Sequence, residues 1–170
     1  MDDRPVYLVG CGSDSHIIKR ATAARAGEKP LLLAGTIVST EHTAVSHSDG
    51  DAVYHALTNA LLLAIGERDI GYHFPDTDAR YAGANSESFV REALSLAKGA
   101  GYRVSNATVM LNASEPKISE HIPEMKKNLA HLLGVGQERI GIGASRGEGT
   151  WTGTGALGIY AIAQVSLVRR

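Results

Sequence analysis

Residues 157–168, Leu-Gly-Ile-Tyr-Ala-Ile-Ala-Gln-Val-Ser-Leu-Val, carry apolar side chains on both faces of an extended chain. A strand with one wet face would alternate polar and apolar. This one does not, which places it at the centre of a sheet that is covered on both sides. The rest of the chain has to supply neighbours and covers for it.

Candidate neighbours are short apolar runs at 5–10, 30–38, 102–111 and 140–144. Leu31-Leu32-Leu33 is too short for a helix and is punctuated by Gly27 and Gly35. Candidate covers are three helices. The first is capped by Ser48 or Asp49, presents Val53, Leu57, Ala60, Leu61 and Ala64, and stops near Ile65 and Gly66. The second is capped by Ser86 and runs to about Lys98 with Phe89, Ala93, Leu94 and Ala97 inward. The third spans 121–133 and closes at Gly134. Residues 67–85, 112–117 and 146–155 read as loops, and 17–29 as a loop or short helix plus loop, basic through Lys19, Arg20, Arg25 and Lys29. Strands interleaved with helices predict one α/β (α+β) domain over 1–170, a mixed β-sheet with helices on one face. Three helices leave apolar strand surface uncovered, so a second copy of the chain is the expected cover for the other face.

Net charge is −1, with 17 basic against 18 acidic residues, which excludes the basic footprint of a nucleic-acid binder. An anionic small substrate remains open, because bound cations can supply positive charge. The apolar helical stretch 60–65 is far too short for a membrane span. No secretory leader pattern opens the chain, so a cytoplasmic protein is expected, or a plastid one after trimming. Cys11 is the one cysteine, which rules out a disulfide within the chain; it is expected to be buried, pointing away from Asp14.

The chemistry-bearing residues cluster. Asp14 and His16, two apart, would share one face of a strand. His47, Asp49, Asp51 and His55 fall within nine residues at a helix start, where free N–H groups favour an anion. One carboxylate and two imidazoles from two elements can make a three-ligand zinc site with an open fourth position, the pattern of a catalytic metal; an Asx-type turn with an exposed histidine and an ordinary helical histidine are the alternatives. Asp69-Ile70-Gly71 and Phe74-Pro75-Asp76-Thr77-Asp78 read either as a solvated turn or as acceptors for sugar hydroxyls. Asn112 to Lys117 follows a strand and precedes a helix, as an ordinary turn also would. Residues 144–153 could form a nest of amides for phosphate, with Glu148 as the one acid there.

Taken in order, Asp14-x-His16, His47-Ser-Asp-Gly-Asp-x-x-x-His55, Asp69-Ile-Gly71, Phe74-Pro-Asp-Thr-Asp78 and Pro116-Lys117 followed by His121-Ile-Pro123 resemble the 2-C-methyl-D-erythritol 2,4-cyclodiphosphate synthase family over residues 7–168. The resemblance implies a compact subunit related to ferredoxin-like folds, assembled as a homotrimer with sites at subunit boundaries. It implies Zn2+ on Asp14, His16 and His55, and a second divalent cation, Mg2+ or Mn2+, on Glu148. It implies catalytic roles for His47, Ser145 and Glu148, and substrate phosphate on His47 and Ser48. Asp69, Ile70, Gly71, Phe74, Pro75, Asp76, Thr77 and Asp78 would hold ribose and methylerythritol. Ala113, Ser114, Glu115, Pro116, Lys117, Ile118 and Ser119 would form the cytosine pocket. Ala144, Ser145 and Trp151 would contact the nucleotide diphosphate.

The implied reaction turns 4-diphosphocytidyl-2-C-methyl-D-erythritol 2-phosphate into the cyclic diphosphate and CMP. Departures from the family pattern are Ser13 and Ser15 around Asp14, a one-residue shift at Glu148, a long 17–29 loop, and Thr154 where an arginine is common. Two other classes of function are compatible with the same residues: a non-catalytic trimeric binder of cytidine nucleotides, and a zinc phosphohydrolase.

Overall fold

The computed structural model describes residues 6–21, 29–146 and 157–170. Strand β1 (Tyr7–Arg20) is followed by three short strands, β2 (Leu31–Leu33), β3 (Thr36–Ser39) and β4 (His42–Ala44). Helix α1 (Ala52–Ala64), the one-turn helix α2 (Ile70–His73) and α3 (Glu87–Gly99) come next. Strand β5 (Tyr102–Ala113), helix α4 (Ile122–Leu133), β6 (Ile140–Ser145) and β7 (Gly158–Arg169) complete the order. Among the described residues the main sheet has the order β4-β1-β7-β5-β6, with β5 and β6 parallel and the other pairs antiparallel.

The doubly apolar strand β7 is central, as its composition requires. Ile159, Ala161, Ala163, Val165 and Leu167 are buried against the helices. Its alternate residues lie on a face open in the single chain, beside Tyr7, Val9 and Ile17 of β1 and Met110 of β5. Helix α1 lies directly on β1, because Gly10 and Gly12 leave no side chain between them. A Cβ at Gly10 would come 1.9 Å from the Ala60 carbonyl oxygen, and one at Gly12 2.3 Å from that of Ala56. Helix α1 is buried almost all round, with α3 on its other flank.

Several boundaries differ from expectation. Strand β1 does not end at Gly10 but runs on to Arg20, so Lys19 and Arg20 lie on a strand and not in a loop; Arg25 lies outside the described residues. The expected strand 30–38 is instead the hairpin of β2 and β3, turning at Ala34 (φ 50°) and Gly35 (φ 69°). Both amides at that turn donate to Asp51, at 2.9 and 2.7 Å, which holds Ala34 in a conformation that disfavours a Cβ. Asp51, not Ser48 or Asp49, is also the N-cap of α1, accepting from Val53 and Tyr54 at 3.1 Å. Ser86 starts α3 without a side-chain cap. Cys11 is exposed, because odd residues of β1 face the open side of the sheet. No described helix is long and apolar enough to cross a membrane.

Candidate metal centre

Asp14 and His16 project from the helix side of β1, and His55 meets them from the first turns of α1. The glycine contact between the two elements closes that gap. His16 Nε2 and His55 Nδ1 lie 3.0 and 3.1 Å from Asp14 Oδ2, and the three ligand atoms lie within 4.8 Å of one another. The imidazoles meet edge to face, with centroids 5.3 Å apart. Burial works against the Asp14 carboxylate, but the contacts with His16 and His55 outweigh it and hold its pKa near 2. His16 Nε2 is buried and makes no hydrogen bond of acceptable geometry. Two imidazole nitrogens around one carboxylate oxygen, all within 4.8 Å of one another, make a donor set that a divalent metal satisfies.

The cluster forms one wall of a cavity of about 450 Å³. His47 and Ser48 line it from the turn before α1, Ile70 and Gly71 from α2, and Phe74 and Asp76 from the loop beyond. Tyr81 and Phe89 close the apolar side, where Phe74 packs on Phe89 with centroids 4.6 Å apart. Asp69 takes another position. It caps α2, accepting from the Tyr72 amide at 3.0 Å, and faces an adjoining cavity with Cys11, Asn59 and Tyr160. Pro75, Thr77 and Asp78 do not line the metal cavity. Asp78 pairs with Arg80 at 2.6 Å, and that hydrogen-bonded partner lowers its pKa.

A smaller cavity, about 130 Å³, lies where β5 and β6 end. Ala113, Pro116, Lys117, Ile118, Ser119, Ala144, Ser145 and Arg146 line it. His16 and Ala113 both pair with Ile159 of β7, so they sit two strands apart, roughly 10 Å. Ser114 and Glu115 lie outside that lining; Glu115 instead reaches Arg20 at 3.2 Å and buried His42 at 3.5 Å. Glu148, Trp151 and Thr154 lie outside the described residues.

Sequence reasoning did not select Val45, Ser46, Tyr81 or Phe89 as wall residues. It also missed Ser86, whose Oγ lies 2.8 Å from His55 Nε2. A serine before a helix reads as a cap, and no spacing rule ties it to a histidine 31 residues earlier.

A mixed sheet carrying a carboxylate–imidazole cluster above a cavity with one apolar wall defines the class as α/β proteins built around a candidate metal centre. The YgbB family model matches residues 7–168, and the chain belongs to that family. It is 43% identical to a 2-C-methyl-D-erythritol 2,4-cyclodiphosphate synthase of Thermus thermophilus over 83% of this chain and 88% of that one. It is 37% identical to the synthase of Aquifex aeolicus over 94% and 97% of the two chains. A solved structure of such a synthase with CDP bound superposes with a TM-score of 0.81 at 38% identity, covering 94% of this chain and 99% of that one.

Proposed function

We propose that the chain is itself a 2-C-methyl-D-erythritol 2,4-cyclodiphosphate synthase of isoprenoid biosynthesis, a phosphorus–oxygen lyase that releases CMP. The observation that carries this reading is the Asp14–His16–His55 cluster opening into a cavity lined by His47, Ser48, Gly71, Phe74 and Asp76, in a chain of this family.

The substrate's own 2-phosphate attacks the β-phosphorus, the bond to the CMP phosphate breaks, and CMP leaves; the protein supplies no nucleophile. Its task is to fold the substrate so that the two phosphates meet in line. Alignment of this kind is worth roughly 7–11 kcal/mol in well-oriented intramolecular reactions. His47 and Ser48, at the mouth of the turn before α1, bind phosphate oxygens. Gly71, without a side chain, lets sugar approach the backbone, and Asp76 accepts from its hydroxyls. The 113–119 loop and Ala144–Ser145 hold cytosine and diphosphate; most of these residues line the smaller cavity, and a similar solved structure carries CDP. Zn2+ on Asp14, His16 and His55, with Mg2+ or Mn2+ on Glu148, would supply Lewis-acid charge against phosphate repulsion.

A homotrimer with its sites at subunit boundaries belongs to the same reading, supported by the exposed Tyr7, Val9, Ile17 and Met110 on the open sheet face. A cytoplasmic or plastid setting goes with it. Incubating the protein with the cytidylyl substrate and metals tests the reading. Cyclic diphosphate plus CMP is the expected result. Linear hydrolysis products would point to a phosphohydrolase, and unchanged substrate to a nucleotide binder.

A further inference from the structure

His55 can hold a metal through Nδ1 only if its proton sits on Nε2, and a neutral imidazole chooses between the two. Nδ1 lies 3.1 Å from Asp14 Oδ2, a contact that a bound metal would replace, and the surroundings of Nε2 hold the other proton. Ser86 Oγ lies 2.8 Å from it and is fully buried. The same oxygen makes a short hydrogen bond to Asp49 Oδ1, and the Ser86 amide donates to Asp49 Oδ2 at 3.0 Å. An ionised carboxylate only accepts, so the single Ser86 proton is committed to Asp49. That leaves a lone pair of Ser86 facing Nε2, positioned to accept its hydrogen.

Ser48 Oγ, 3.0 Å from the same nitrogen, has no such anchor. It accepts from the Gly50 amide at 3.2 Å and can rotate between Ser46 and His55. Ser86 thus sets the direction and Ser48 adapts to it.

We propose that Asp49 and Ser86 are positioning residues, a carboxylate–serine–imidazole relay that fixes the His55 tautomer and turns Nδ1 toward Asp14 and His16 for metal binding. The relay rests on the metal reading of Asp14, His16 and His55. It adds two residues to that reading, from a loop and from the start of α3. The α3 helix thereby becomes part of the metal centre without contributing a ligand. Partners of this kind typically change metal affinity by 10- to 100-fold.

Zinc competition against a chromophoric chelator tests it on the intact protein. Ser86→Ala is expected to bind zinc roughly 10- to 100-fold more weakly. Asp49→Asn, which keeps an acceptor but loses the charge, should show a smaller loss, and Ser86→Thr should restore affinity. Nitrogen-resolved NMR of histidine-labelled, zinc-loaded wild type needs no variant to fold. It should show His55 protonated at Nε2. A proton on Nδ1, or folded Ser86→Ala with wild-type zinc affinity, overturns the relay. Wild type that binds no zinc at all overturns instead the metal reading beneath it.

Discussion

Asp14 has two structural roles, candidate ligand and half-buried anion, and they separate by pH. Its pKa falls from 3.8 to about 2 on folding, because contact with His16 and His55 outweighs the cost of burial. The folded state therefore binds this proton less tightly than the unfolded state. Its contribution is complete above the unfolded value and is lost as pH drops through the folded one. In chelator-treated protein, wild type should lose roughly 2 kcal/mol relative to Asp14→Asn between about pH 5 and pH 2, measured by urea unfolding. Parallel stability curves would show that the contact contributes nothing.

His55→Ala should fold yet lose its zinc; full zinc content by elemental analysis would remove His55 from the ligand set. The three residues of the candidate centre were legible as a cluster in sequence because few side chains bind zinc and their spacing put two on one strand face. Ser86 was not, since its hydroxyl serves a histidine that only the fold brings near.

At the scale of elements, the contact that matters most is α1 on β1. Gly10 and Gly12 looked like a strand's end, because a glycine in a turn and a glycine under a helix are the same letter. Only the packed helix distinguishes them. The hairpin at Ala34–Gly35 escaped for a related reason. Its turn is held by Asp51 from outside the segment, so local turn chemistry did not announce it. Gly12→Ala tests the packing. Its methyl would lie 2.3 Å from the Ala56 carbonyl oxygen, a backbone atom that cannot swing away. Overpacking commonly costs about 1–3 kcal/mol. The expected outcome is destabilisation at or above that range, with weaker zinc binding as His55 is pushed from Asp14. Unchanged thermal unfolding would mean that α1 can shift freely.

For the whole molecule, the two-sided apolar character of β7 was the legible part, and the strand is central. What covers the open face was not legible from composition. The rows Ser13–Ile162–Met110 and Cys11–Gln164–Thr108 cross that face. Ile162→Asp places a charge in its middle. Wild type is expected to sediment at three chain masses at micromolar concentration, and Ile162→Asp at one. A monomeric wild type would refute the assembly and the boundary sites with it.

The proposed ligands are also far apart along the chain: His55 follows Asp14 by 41 residues. A metal held by both ties the strand to the helix, as a removable tether that an unfolded chain lacks. Binding and folding then become linked equilibria, each tenfold excess of free zinc over its dissociation constant adding about 1.4 kcal/mol of resistance to unfolding. Zinc supply would thus govern the lifetime of this protein as well as its chemistry.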